Sequence, residues 1–390
     1  MRPKKYSQKE HQIELSHVNK NALTVIHALQ KKGHTAYLVG GGVRDLLMGL
    51  TPKDFDISTS ARPDEIKQIF GRQCLLIGRR FRLAHIRFGK EILEVSTFRA
   101  GDTESSSIIL RDNRWGNEVD DVKRRDFTIN ALFYDPEQEM ILDYFGGVDD
   151  IKHRILKTIG DPFIRFKQDP VRMLRLLKFQ ARLRFSCEEK TKAALQTCKH
   201  DILKSSEARL LEEIFKMLES GHSEPFFQFL TEEGFLELLF PCFLHFFTGP
   251  SKKTAHAYLH ALDRTVKQEC LQRSVMLASL IFPILEQELN TLTTDRQTPL
   301  PIGDIQHLAL TLLRGINTSS FVHFPRKLFS SLLAIILLQY RLTPMHKRPR
   351  YHMRFPSKED MIASIKFLKI RALVSSKLNP ILHEWEKRLV

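Results

Sequence analysis

Cysteine is scarce: the 390 residues hold five, Cys74, Cys187, Cys198, Cys242 and Cys270, with no C-x-x-C pair among them. This excludes a disulfide framework and a zinc ribbon, and it reads as packed, reduced thiols in a cytoplasmic compartment. Long apolar runs are missing too. The longest, Leu328–Leu338, is broken by Ser330 and Ser331 and is too short to span a bilayer, so a buried helix is expected and no membrane. The basic, polar N-terminus (Met1-Arg-Pro-Lys-Lys-Tyr-Ser-Gln-Lys-Glu) has no apolar segment behind it, which excludes a secretory signal, and Glu10 and Glu14 argue against a transit peptide. No solenoid-period repeat and no low-complexity tract is found.

What is present is an ordinary globular composition, 42% hydrophobic and 27% charged. The length predicts two or three domains. The 60 Lys and Arg outnumber the 45 Asp and Glu, for a formal net charge of +15. A surplus of that size points to a polyanionic partner, nucleic acid foremost.

The first half alternates short apolar runs with helical patterns. Ala22, Val25, Ile26 and Leu29 share a helical face that Gly33 ends. Strands are predicted at Ala36–Val39, Asp54–Ile57, Cys74–Ile77, His85–Phe88, Ile92–Thr97, Ala131–Tyr134 and Met140–Asp143, with a short helix Asp64–Phe70 started by Pro63. Beyond Gly146-Gly147 nearly every segment has helical spacing, with Thr291–Ile302 as the expected internal loop.

The sharpest local feature is Leu38-Val39-Gly40-Gly41-Gly42-Val43-Arg44-Asp45, followed by Pro52-Lys53-Asp54-Phe55-Asp56-Ile57. A strand, a glycine turn and a helix start can bring backbone N–H groups to a phosphate chain. A glycine turn serves packing equally well. Asp54 and Asp56, two apart on a strand, project from one face, with Phe55 and Ile57 on the other. Like charges so placed favour a cation between them. Carboxylate oxygens suit Mg²⁺, which is held by one or two carboxylates together with substrate phosphates. The dipeptide His200-Asp201 has no companion ligands and reads as a helix end.

The run L-V-G-G-G-V-R-D-L-L-M-G…P-K-D-F-D-I resembles the first motif of class II nucleotidyltransferases of the polymerase β superfamily, which comprise tRNA CCA-adding enzymes and bacterial poly(A) polymerases. Further segments agree in order: Glu94–Arg99, Arg124–Leu132 (R-R-D-F-T-I-N-A-L), Asp143–Asp150 and Gln168–Arg175. The match is strong over about residues 35–185. It implies an α+β fold: a polymerase β-like nucleotidyltransferase head with a mixed sheet, followed by an all-α neck, body and tail. The domains expected are a basic arm (1–20), the catalytic head (21–152), a nucleotide-selecting and RNA-binding neck (153–220), and an RNA-binding body and tail (221–390).

By position, the resemblance implies that Asp54 and Asp56 bind the metals and that Gly41, Gly42 and Arg44 hold the triphosphate. Asp126 joins them as a catalytic acid, ranked ahead of Glu94 for the third carboxylate, and Arg124, Arg125 or both face the phosphates. Asp169 and Arg172, three apart on a helix, read the incoming base; Gln168 stands where the family has Glu. Asp143 with Gly146-Gly147 resembles a flexible loop that couples base selection to movement of the head. Within the family, Ile109–Gly116 (I-L-R-D-N-R-W-G) and Gly78–His85 resemble the poly(A) polymerases. The basic stretch Arg341–Arg354, interleaved with Tyr340 and Tyr351, suits an RNA-tracking surface. The expected reaction is template-independent addition of AMP from ATP to an RNA 3′ end; CCA addition to tRNA is the alternative.

Overall fold

Asn19 opens the first long helix: its side-chain oxygen accepts from the backbone N–H groups of Asn21 and Ala22 at 2.8 and 3.0 Å. The helix runs Lys20–Lys31 and buries Ala22, Val25, Ile26 and Leu29, the face its spacing predicts. The computed structural model describes residues 1–78, 82–101, 114–296, 300–321, 323–343 and 357–389. It divides into two units, Met1–Leu176 with Arg184–Asp201, and Leu177–Leu183 with Ile202–Val390.

The first unit is built on an eight-stranded mixed sheet. Its strands are β1 (Lys4–Ser7), β2 (Ala36–Val39), β3 (Asp56–Thr59), β4 (Cys74–Ile77), β5 (Leu83–Phe88), β6 (Glu91–Thr97), β7 (Leu132–Asp135) and β8 (Met140–Asp143). Their spatial order is β1-β8-β7-β2-β3-β6-β5-β4. Within this sheet β3 and β6 run parallel, with Ile57 beside Val95, and the other neighbours are antiparallel. All four residues of β2 are buried, as a central strand requires. The Lys20–Lys31 helix packs on β2 and β3. Elsewhere Tyr37, Val39, Phe98, Val122, Phe133, Leu142 and Tyr144 form one cluster, in which the Tyr37 and Phe133 rings stack at 5.4 Å.

Four expectations change. The acidic strand begins at Asp56, so Asp54 lies in the preceding loop and Phe55 is only half-buried. The N-terminal arm is part of the sheet: Lys4–Ser7 pairs with Met140–Asp143 and buries Tyr6. Its lysines hid this, because an edge strand needs only one buried side chain and tolerates charge. The neck expected over 153–220 is divided between the two units. Half of the Thr291–Ile302 loop is helix, since the helix from Arg273 continues to Arg296.

The second unit is helical. Phe226, Phe227, Phe235, Phe243 and Phe247 lie in its core, and the Phe227 and Phe247 rings stack at 5.4 Å. Leu342, Met361, Ile365 and Leu368 form a further cluster, against which Trp385 packs. The apolar run at 328–338 is the middle of a helix, Arg326–Leu342, that buries Leu332, Ile335, Ile336 and Leu338. Among the described residues one helical stretch, Arg273–Leu292, is long and apolar enough to cross a membrane, and most of it is buried within the protein.

Candidate active site

The glycine turn ends β2 and starts the helix Gly41–Leu47. Gly40 has φ +71 and ψ −135, a conformation that side chains oppose. Gly42 is needed for close approach: a Cβ there would lie 3.1 Å from the Asp54 carbonyl oxygen. It therefore lets the acidic loop fold over the turn.

The sheet register gathers the acids. Ile57 and Val95 are fully buried neighbours on parallel strands, so Asp56 and Glu94, one residue earlier in each, stand abreast on the opposite, solvent-accessible face. Crowding by surrounding protein, then the charges of Glu94 and Asp54, push the Asp56 carboxyl up to about 6, with Arg125 pulling the other way. Glu94, not Asp126, is thus the third acid that Asp56 feels. Among the described residues no group of three or more His, Cys, Asp and Glu side chains could hold a metal, His200-Asp201 included. Two carboxylates whose charges repel, open to solvent, still fit Mg²⁺, which completes its shell with water and phosphate oxygens.

Asp126 is turned inward. It is 6% exposed, and its Oδ1 accepts from the Phe127 N–H and the Asn130 amide at 2.8 and 3.2 Å, while its Oδ2 pairs with Arg175 at 2.8 Å. Burial works to raise its pKa, but Arg175 and the hydrogen bonds outweigh it and hold the carboxyl below its ordinary value. Arg44 is likewise not a phosphate-facing cation here. It is 2% exposed and donates to Asp45 Oδ1 at 2.9 and 2.7 Å and to Asn130 Oδ1 at 2.5 Å. Asn130 therefore links Arg44 to Asp126, a buried brace beneath the turn. Both departures share a cause: the R-R-D-F-T-I-N segment packs against the helix Gly41–Leu47 through contacts remote in sequence.

Arg125 lies on the acidic face. Its guanidinium reaches Ser58 Oγ at 3.4 Å, and its carbon sits 5.7 Å from the Phe133 ring centroid. It is held by Asp121, a residue the motif reading passed over. Fully buried, Asp121 accepts from Arg124 at 2.9 and 2.6 Å, from Arg125 at 2.9 Å and from the Arg99 N–H at 3.2 Å. Its spacing to Arg124 and Arg125, i,i+3 and i,i+4 along Glu118–Lys123 and its cap, was the available signal.

Asp169 precedes the helix Val171–Leu183, having left the helix Pro162–Gln168 with φ −146 and ψ 88. Its Oδ2 is 4.0 Å from Arg172 Nε. Arg172 also donates to the carbonyls of Arg165 at 3.3 Å and Arg124 at 3.1 Å. Gln168, 1% exposed, accepts from Arg165 at 2.9 Å.

The loop expected to flex is a built turn. Asp143 is 3% exposed and accepts from four backbone N–H groups, those of Phe145, Gly146, Gly147 and Val148, at 2.8–3.0 Å. A Cβ on Gly147 would fall 2.2 Å from the Thr128 carbonyl oxygen. Gly147→Ala is therefore expected to destabilise the first unit by about 3 kcal/mol. Gly146→Ala, strained only by its φ of +81 with open space around it, should cost about 1–2 kcal/mol. Urea denaturation of both variants checks the order; equal losses would mean the turn can yield. Most of Ile109–Gly116, part of Gly78–His85 and most of Arg341–Arg354 lie outside the described residues.

The first unit thus presents a glycine turn, an acidic loop and acids on parallel strands on one mixed sheet. Residues 36–157 match the family "Poly A polymerase head domain", and residues 184–246 match "Probable RNA and SrmB-binding site of polymerase A". Poly(A) polymerase I of Haemophilus influenzae is 44% identical over 240 residues, 59% of this chain and 53% of that one. The CCA-adding enzyme of Lactobacillus helveticus is 41% identical over 215 residues, 53% of this chain and 52% of that one. The fold is shared with the crystal structure of the Bacillus stearothermophilus CCA-adding enzyme in complex with CTP, at a TM-score of 0.62 and 24% identity over 94% of this chain and 81% of that chain. Over these stretches the chain is similar both to poly(A) polymerases and to CCA-adding enzymes. It spans about half to three fifths of the length of the curated relatives it matches.

Proposed function

We propose that the protein is a cytoplasmic, template-independent RNA nucleotidyltransferase that adds AMP from ATP to RNA 3′ ends. The observation that carries this reading is the meeting of Asp56 and Glu94 on the parallel strands β3 and β6, with Asp54 in the loop above and Arg125 alongside. The RNA 3′ oxygen bonds to the α-phosphorus of ATP, the bond from that phosphorus to the bridging oxygen breaks, pyrophosphate leaves, and the hydroxyl proton is lost to solvent. Asp54 and Asp56 would hold Mg²⁺, which when bound supplies charge neutralisation at the triphosphate and a more acidic 3′ hydroxyl. Arg125 lies where it can meet the phosphates, and the backbone N–H groups of Gly41 and Gly42, at the start of their helix, would hold the triphosphate. Arg44 and Asp126 act as positioning residues through Asn130. Asp169 and Arg172 read the base, one accepting and one donating, with no template strand. The net charge of +15 serves sequence-blind contact with the RNA backbone.

CCA addition is the second reading, favoured by the 41% identity to the Lactobacillus helveticus enzyme. Incubation of a generic RNA, and of tRNA lacking its CCA end, with ATP, CTP or both separates the two. Long A-tracts from ATP on the generic RNA are expected; growth that stops after C-C-A on tRNA overturns this in favour of the second reading. In the same assay Asp169→Ala is expected to lower the preference for ATP over CTP by about tenfold or more, since a hydrogen-bonded base edge loses its partner. An unchanged preference would remove Asp169 from base selection.

A further inference from the structure

Arg165 is 1% exposed in the seven-residue helix Pro162–Gln168, and no motif marks it. Its guanidinium spans two segments. One side, Nη1, donates to the Gln168 side-chain oxygen at 2.9 Å, next to Asp169. The other, Nη2, lies 3.2, 2.8 and 2.7 Å from the carbonyl oxygens of Lys123, Arg124 and Arg125, to which it donates. Those carbonyls close the helix Glu118–Lys123, whose last turn leaves acceptors without intrahelical donors and gathers negative potential. The Arg165 main chain is engaged as well: its carbonyl accepts from the Asp169 N–H at 3.2 Å and from Arg172 Nη1 at 3.3 Å. One residue thus holds Asp169 and Arg172 with its backbone, and the segment bearing Arg125 with its side chain.

We propose that Arg165 is a positioning residue for base selection, fixing Asp169 and Arg172 relative to the Arg125 side chain beside the acidic pair. This rests on the transferase reading above. Arginine suits the task because a planar fork reaches the amide and the carbonyls together, whereas a lysine ammonium is a single point. Misplacing a reading group by about 1 Å can cost around 10²-fold in rate.

The test measures kcat/KM for ATP and for CTP on a single-stranded RNA primer, with thermal melting of the same preparations. Arg165→Lys, which keeps the buried charge, is expected to stay folded and to lower the ATP-over-CTP ratio by about tenfold, the loss falling on kcat more than on KM. Gln168→Leu removes the side-chain acceptor of Arg165 Nη1 and should lower the ratio in the same direction by less. If melting falls while both ratios stay at the wild-type value, Arg165 is merely structural and this inference fails, though the transferase reading stands. If Arg165→Lys does not fold, Gln168→Leu decides, and an unchanged ratio again overturns the inference. A wild-type protein that transfers no nucleotide overturns the transferase reading and the inference with it.

Discussion

Asp56→Asn is expected to cut nucleotide incorporation by about 10³-fold or more in kcat while raising the melting temperature of the metal-free protein. The two effects have one origin. The Asp56 carboxyl is pushed up to about 6 by crowding and by Glu94 and Asp54, so its charged form is disfavoured in the fold. A carboxyl raised in this way binds its proton more tightly folded than unfolded. Its contribution therefore falls as pH rises from its ordinary value of 3.8 to about 6, and above that the repulsion is fully present. The neutral amide removes the repulsion and with it the attraction for a divalent cation. Melting at pH 7.5 in chelator, then in magnesium, reads both: magnesium should raise the wild-type midpoint and leave the variant's unmoved. Incorporation at the wild-type rate would refute the assignment of Asp56, and a lower midpoint in chelator would refute its electrostatic account.

Asp121→Ala should have the largest effect on stability. The carboxylate is fully buried and is shared by two guanidinium groups and a backbone N–H, so its loss leaves Arg124 and Arg125 without their common anion. Breaking a buried pair from one side costs about 3–5 kcal/mol, or about 10 °C in the transition of a unit this size. Burial works to raise the Asp121 pKa, but Arg125 and then Arg124 prevail and hold the carboxyl below its ordinary 3.8. The contribution of a depressed carboxyl is complete above its unfolded value and is lost as pH falls through the folded one. The gap in melting temperature between wild type and Asp121→Ala should therefore be constant from pH 5 to 7 and close only in stronger acid. Calorimetry across that range checks it; a gap that closes near pH 6 would mean that Asp121 is not the paired anion.

Strand Ala36–Val39, the buried face of Lys20–Lys31 and the helical second half were legible because each follows from spacing along a few consecutive residues. Two of the ordered motifs likewise mark segments that reach the acidic face, through Glu94 and Arg125. Two kinds of feature were not legible. Edge strand Lys4–Ser7 looks like a charged arm because its partner, Met140–Asp143, supplies what its own sequence lacks. Arg165 left no trace because three of its acceptors are main-chain carbonyls, which every residue possesses.

The sequence alone sets few cysteines and a surplus of cations beside a glycine turn followed by two closely spaced acids, Asp54 and Asp56. Only the tertiary structure decided the company they keep. The parallel register of β3 and β6 sets Glu94 abreast of Asp56, while Arg175 and Asn130 draw Asp126 into the interior. The physical reason is that local periodicity fixes which face a residue takes on its own element, whereas the charge that faces it is set by the pairing of segments far apart in the chain.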